Sequence, residues 1–123
     1  MIAGLLLALV VAQAKLTLEI GPWTGADLKT ATRSAARYRL TVTGPPNSAA
    51  ALVASNVADG WLAAFCTPRV CSPDRVDALL SPAGRAVYQF ELIRLNRGAP
   101  KRSGARIRAG DSAVLDVAPV SLQ

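Results

Sequence analysis

Apolar and polar residues alternate with a period of two along much of the chain, the pattern of a β-strand that buries one face. Lys15 to Ile20 sends Leu16, Leu18 and Ile20 to one side, and Arg37 to Thr43 does the same with Tyr38, Leu40 and Val42. Between Trp61 and Cys66, Trp61, Ala63 and Phe65 alternate with Leu62, Ala64 and Cys66. Ala86 to Leu92 buries Tyr88, Phe90 and Leu92. Ala105–Ala109 and Ala113–Val117 add two strands, and Ala50–Val57 a further one whose alternation is unclear. The register predicts a core of Trp61, Phe65, Tyr38, Leu40, Tyr88, Phe90 and Leu92, with Arg37, Arg39, Gln89 and Glu91 facing solvent. Turn signals separate the runs at Gly21-Pro22, Gly44-Pro45-Pro46-Asn47, Asp59-Gly60, Ser81-Pro82-Ala83-Gly84, Arg97-Gly98-Ala99-Pro100 and Gly110-Asp111. About seven short strands with frequent turns predict an all-β antiparallel sandwich. Two segments are open to helix. Asp27 to Ala36 could form a turn or two. Ser72 to Leu80 is either a helix, with Ser72 as N-cap and Pro73 in the first position, or a strand from Val76.

The first fourteen residues, MIAGLLLALVVAQA, depart from this pattern. Ile2 to Ala12 is an apolar run interrupted only by Gly4, and it ends in Ala12-Gln13-Ala14. That small-x-small ending is what a signal peptidase accepts. A membrane-spanning helix needs about 20 apolar residues, and this run stops at Lys15. Residues 1–14 are therefore expected to be a cleaved signal peptide, leaving 123 − 14 = 109 residues (15–123) as one domain. The expected location is outside the cytoplasm, periplasmic or extracellular. A chain of that length can build a core without a metal or a dense disulfide framework.

The order of motifs carries a resemblance. An alternating strand (Arg37 to Thr43) is followed by a Gly-Pro-Pro turn, an apolar strand (Ala50 to Val57) and Asp59-Gly60-Trp61. Ser81-Pro82-Ala83-Gly84 then precedes a long alternating strand, Ala86 to Leu95. This resembles the small immunoglobulin-like domains of bacterial secreted and cell-surface proteins. Two features depart from them: Ala83 separates Pro82 from Gly84, and both cysteines lie in one short loop. The resemblance implies an immunoglobulin-like sandwich over roughly residues 15–118. It implies no particular activity, because such domains serve adhesion, carbohydrate binding, assembly and spacing.

Composition removes several chemistries. The chain has no His, which excludes Ser-His and Cys-His nucleophile systems and histidine-based metal centres. No glycine-rich phosphate loop follows a strand and opens a helix. The eight acidic residues are scattered. Asp74 and Asp77 would share a face only if their segment were helical, and that pair is the one opening for carboxylate chemistry. Cys66 and Cys71 are not spaced as C-x-x-C and have no second pair to complete a zinc site. In an oxidising compartment they are expected to form a structural disulfide. The loop it closes is so short that the chain-entropy contribution is about 2 kcal/mol. A non-enzymatic protein without cofactor or metal is expected.

Charge then supplies a candidate surface. Fourteen Lys and Arg against eight acids give a net charge of +6. Arg94, Arg97, Lys101, Arg102, Arg106 and Arg108 cluster within fifteen residues that hold no acid. If Ala86–Leu95 pairs with Ala105–Ala109, these charges gather around a hairpin loop. Arginine forks bind carboxylates and phosphates through parallel hydrogen bonds. The expected partner is an envelope protein, an acidic polysaccharide or an anionic lipid surface. Nucleic acid is not expected, because no aromatic residues interleave the charges. The expected function is an exported, non-catalytic binding or assembly module. The alternative lies in Cys66-Thr67-Pro68-Arg69-Val70-Cys71, a stiff loop that could present Arg69 to a trypsin-like protease as an inhibitor does.

Overall fold

The computed structural model describes residues 15–24 and 35–122. Nine strands form two antiparallel sheets: β1 (Thr17–Pro22), β2 (Ala35–Thr43), β3 (Ala49–Ser55), β4 (Trp61–Cys66), β5 (Cys71–Pro73), β6 (Arg75–Leu79), β7 (Arg85–Arg94), β8 (Arg102–Ala109) and β9 (Ala113–Ser121). One sheet has the order β1-β2-β7-β4-β5 and the other β6-β3-β8-β9. The expected all-β, two-sheet architecture is present, with no helix among the described residues. The stretch from Ser72 resolves as strand: β5 ends at Pro73, Asp74 takes a positive φ of 61°, and β6 follows. Of the two readings left open for Ser72 to Leu80, the strand is the one present, and Asp74 and Asp77 share no helix face. Short β5 and β6 raise the strand number above the expected seven. The proposed helical turn over residues 27–34 and the signal over 1–14 lie outside the described residues, while Ala35 and Ala36 belong to β2.

The core lies between the sheets. Leu40, Val42, Phe65, Phe90 and Leu92 of the first sheet meet Leu52, Ala78, Ile107 and Ala109 of the second. Its aromatic centre is a cross-strand row in which Tyr38 faces Phe90 and Phe90 faces Phe65. The Phe65–Phe90 ring centroids are 5.2 Å apart and the Tyr38–Phe90 centroids 6.3 Å apart, within the range of favourable tilted ring pairs. Every aromatic expected in the core is buried except Tyr38, which is half-buried.

The expected exposure of Gln89 and Glu91 is corrected. Residues Tyr88 to Leu92 are all buried, five in succession. β7 lies between β2 and β4, and side chains from both flank Gln89 and Glu91 on the outer face, Arg37 from β2 and Ala64 and Cys66 from β4, so period two ceases to report burial there. Ala64 and Cys66 of neighbouring β4 are buried on that same outer face.

A second correction concerns the basic segment. β7 and β8 lie in different sheets and do not pair. Residues 95–101 therefore form an arch between the sheets and not a hairpin. The local pattern could not distinguish these, because both need only a turn between two alternating strands.

Candidate functional site: a braced basic arch and a buried disulfide

The arch is held by backbone contacts from three directions. Arg94 is half-buried at the end of β7 and folds back over the arch. Its Nε donates to the Ala99 carbonyl at 3.1 Å, and its Nη2 donates to the carbonyls of Ala99 (2.6 Å) and Arg97 (2.8 Å). The Trp61 indole donates to the Pro100 carbonyl at 2.6 Å, which explains why this tryptophan stands at the start of β4. The Leu95 amide donates to Gly60 and the Leu122 amide to Lys101, each at 2.8 Å. Gly60 has a φ of +81°, and a Cβ there would lie 2.6 Å from the Ala99 Cβ. Only glycine allows this turn to approach the arch so closely.

The six basic residues thus divide by role. The Arg94 guanidinium is occupied by carbonyls and braces the arch. Arg106 pairs with Asp116 across β8–β9 at 2.8 Å, an exposed contact that raises the Arg106 pKa and lowers that of Asp116 through their hydrogen bond. Arg97, Lys101 and Arg102 are exposed at the arch, and Arg108 is exposed further along β8. Arg102 also borders an open depression of 470 Å³ formed with Asn56–Ala58, Ser103, Gly104 and Pro119. There the Ser103 hydroxyl accepts from the Ala58 amide at 2.9 Å and donates to the Gly104 carbonyl at 2.8 Å. These bonds tie the β3–β4 turn to the irregularity in β8 between Ser103 and Ala105.

Cys66 and Cys71 form a disulfide of 2.07 Å directly across the β4–β5 ladder. Pro68 and Arg69 form the exposed tip beyond it. The Thr67 amide donates to the Val70 carbonyl at 2.8 Å, and the Thr67 hydroxyl accepts from the amides of Arg69 (3.3 Å) and Val70 (3.2 Å). Arg69 is therefore displayed where the sequence placed it.

The side chains around the disulfide form a group that sequence reasoning missed. Two rows cross the outer face of the sheet: Arg39–Gln89–Cys66–Cys71, and Arg37–Glu91–Ala64–Pro73. Glu91 is buried, and its Oε2 lies 3.6 Å from Arg37 Nε. Its Oε1 lies 3.2 Å from Cys66 Sγ. The donor atoms of Cys66, Cys71 and Glu91 all lie within 4.8 Å of one another. With the disulfide closed, neither sulfur is a thiolate that could ligate a metal. The alternation predicted a solvated Glu91; its meeting with Cys66 depends on β7 and β4 becoming neighbours although the two residues are 25 positions apart in the chain.

No family model matches the chain, and no curated protein matches it. It is similar to the crystal structure of a FixG-related protein from Vibrio parahaemolyticus, with a TM-score of 0.51 and 9% identity over 87% of this chain and 95% of the other. The likeness is one of fold. Among the described residues, no helix is long and apolar enough to cross a membrane.

Proposed function

We propose that this protein is an exported immunoglobulin-like module that binds an anionic component of the cell envelope through the arch between β7 and β8. The observation that carries this reading is the division of labour among the arginines. Arg94 and Trp61 hold the arch, while Arg97, Lys101 and Arg102 project from it into solvent. A rigid loop loses little conformational entropy when it docks, so its charges contribute more of their interaction to affinity. An acidic protein surface, an acidic polysaccharide or an anionic lipid headgroup offers the oxygen pairs that two arginines and a lysine would engage. The immunoglobulin-like reading is supported by the two-sheet fold and by the order of turns and strands. Export is supported by the apolar N-terminal run and by the disulfide, a bond at home in oxidising compartments.

The test replaces Arg97, Lys101 and Arg102 together with Ser and measures binding to anionic vesicles, an acidic polysaccharide and envelope extracts. Binding should be lost while the unfolding transition stays in place, because all three side chains are exposed. Binding by the unmodified protein should weaken steeply with salt, as the Debye length falls from about 10 Å at 0.1 M to about 3 Å at 1 M. Salt-insensitive binding that survives the triple substitution would refute the reading.

The exposed Arg69 at a tip braced by Thr67 supports a second reading, inhibition of a trypsin-like protease. Loss of such inhibition in Arg69→Ala alone would favour it.

A further inference from the structure

The surroundings of the disulfide are unlike those of a simple brace. The bond joins residues already opposed in the β4–β5 ladder, and the turn beyond it is closed by its own hydrogen bonds. A cross-link over so short a loop removes little freedom from the unfolded chain. Yet a carboxylate is buried against it. A disulfide sulfur carries no hydrogen, so in the oxidised protein Glu91 Oε1 receives no hydrogen bond from Cys66. The 3.2 Å separation suits a thiol S–H donating to that oxygen. The carboxylate therefore favours a form of Cys66 that exists only after reduction. The two sulfurs also differ in access. Cys66 is wholly buried, whereas Cys71 is half-exposed on β5, a three-residue strand at the margin of its sheet.

We propose that Cys66–Cys71 is a redox-active disulfide that accepts two electrons from the dithiol of a partner protein, with Cys71 as the sulfur attacked and Glu91 as the acceptor for the Cys66 thiol. A partner thiolate attacks Cys71 Sγ. The sulfur–sulfur bond breaks, and its electron pair passes to Cys66 Sγ. The proton of the partner's second thiol ends on Cys66, where Glu91 Oε1 accepts its hydrogen bond. The deprotonated second sulfur attacks the mixed disulfide and releases Cys71 as a thiolate. The partner dithiol becomes a disulfide, and one proton and two electrons have moved to this chain. Arg37 Nε lies 3.6 Å from Glu91 Oε2, so an opposite charge stands beside the buried carboxylate on the side away from the sulfur. This exchange is stoichiometric and adds to the binding reading without depending on it. Cys66 lies five positions along β4 from Trp61, roughly 17 Å at strand spacing, so the basic arch can be disabled with the disulfide intact.

The test uses the folded mature protein in dithiothreitol and glutathione buffers, with thiol labelling to count reduced cysteines and circular dichroism to confirm the fold. Reduction should proceed without denaturant. Cys66→Ala, which leaves Cys71, should form a mixed disulfide with glutathione at least about tenfold faster than Cys71→Ala, which leaves the buried sulfur. Glu91→Gln should lower the equilibrium constant for reduction by about three- to tenfold, because an amide oxygen accepts the thiol less strongly. It should also shift Cys66 alkylation to lower pH, because the neighbouring negative charge is gone. Glu91→Asp should recover part of both effects. A disulfide that resists millimolar dithiothreitol until the protein unfolds would overturn the proposal. Equal reactivity of the two single-cysteine variants would also overturn it. If Glu91→Gln does not fold, the first two measurements, which need only the native glutamate, still decide.

Discussion

Replacing Phe90 with Ala tests the packing on which both surface sites stand. Phe90 is fully buried on the central strand β7, between Tyr38 of β2 and Phe65 of β4. A buried phenylalanine removes roughly 150–200 Å² of mainly apolar surface from water, about 4–5 kcal/mol at ~25 cal/mol per Å². An alanine in its place retains about 1 kcal/mol of that burial. The ring contacts at 5.2 and 6.3 Å are lost as well, and the flanking strands cannot close the gap without breaking their ladders. The expected cost is about 4 kcal/mol, within the range of about 3–5 for emptying an aromatic site. Urea unfolding followed by far-ultraviolet circular dichroism measures it, with an unchanged slope showing that the surface exposed on unfolding is the same. A cost below about 1 kcal/mol would refute the reasoning, since it would place Phe90 outside the core and shift β7 by one residue. Every statement about which face carries Gln89 and Glu91 would then reverse.

Gly60→Ala should cost about 2–3 kcal/mol in the same assay, because it combines a left-handed φ of +81° with a Cβ only 2.6 Å from the Ala99 Cβ. Arg94→Lys keeps the charge but loses the fork across Arg97 and Ala99; it should weaken anion binding about three- to tenfold with net charge unchanged. Equal binding by that variant would show that bracing does not matter. Burial raises the pKa of Tyr38 and of Tyr88, with the Asp77 charge adding to the latter. The unfolded chain therefore ionises first. The tyrosine contribution is fully present below pH 10, the ordinary value, and is lost as pH rises through the folded-state pKa values. Unfolding free energies on both sides of that range check the sign, and Tyr38→Phe with Tyr88→Phe should flatten the decline.

The pattern of the chain by itself determined that this is a β protein and which residues form most of its core. Period-two alternation depends only on the pleat, so Leu40, Val42, Phe65, Phe90 and Leu92 were assignable before any strand had a neighbour. Proline and glycine marked the turns because their backbone limits are local, and the cysteines were matched because no other pair was available. Strand order is not a local property, and only the tertiary structure decided it. The same residues 95–101 suit a hairpin or an arch, and placing β7 and β8 in different sheets chose the arch. That choice turned Arg94 from an apparent binding residue into a brace, and the pairing of β8 with β9 gave Arg106 to Asp116. Central placement of β7 between β2 and β4 buried both of its faces, which set Glu91 between Arg37 and Cys66. Alternation identifies the two faces of a strand, but whether the second face meets water depends on what the rest of the chain packs beside it.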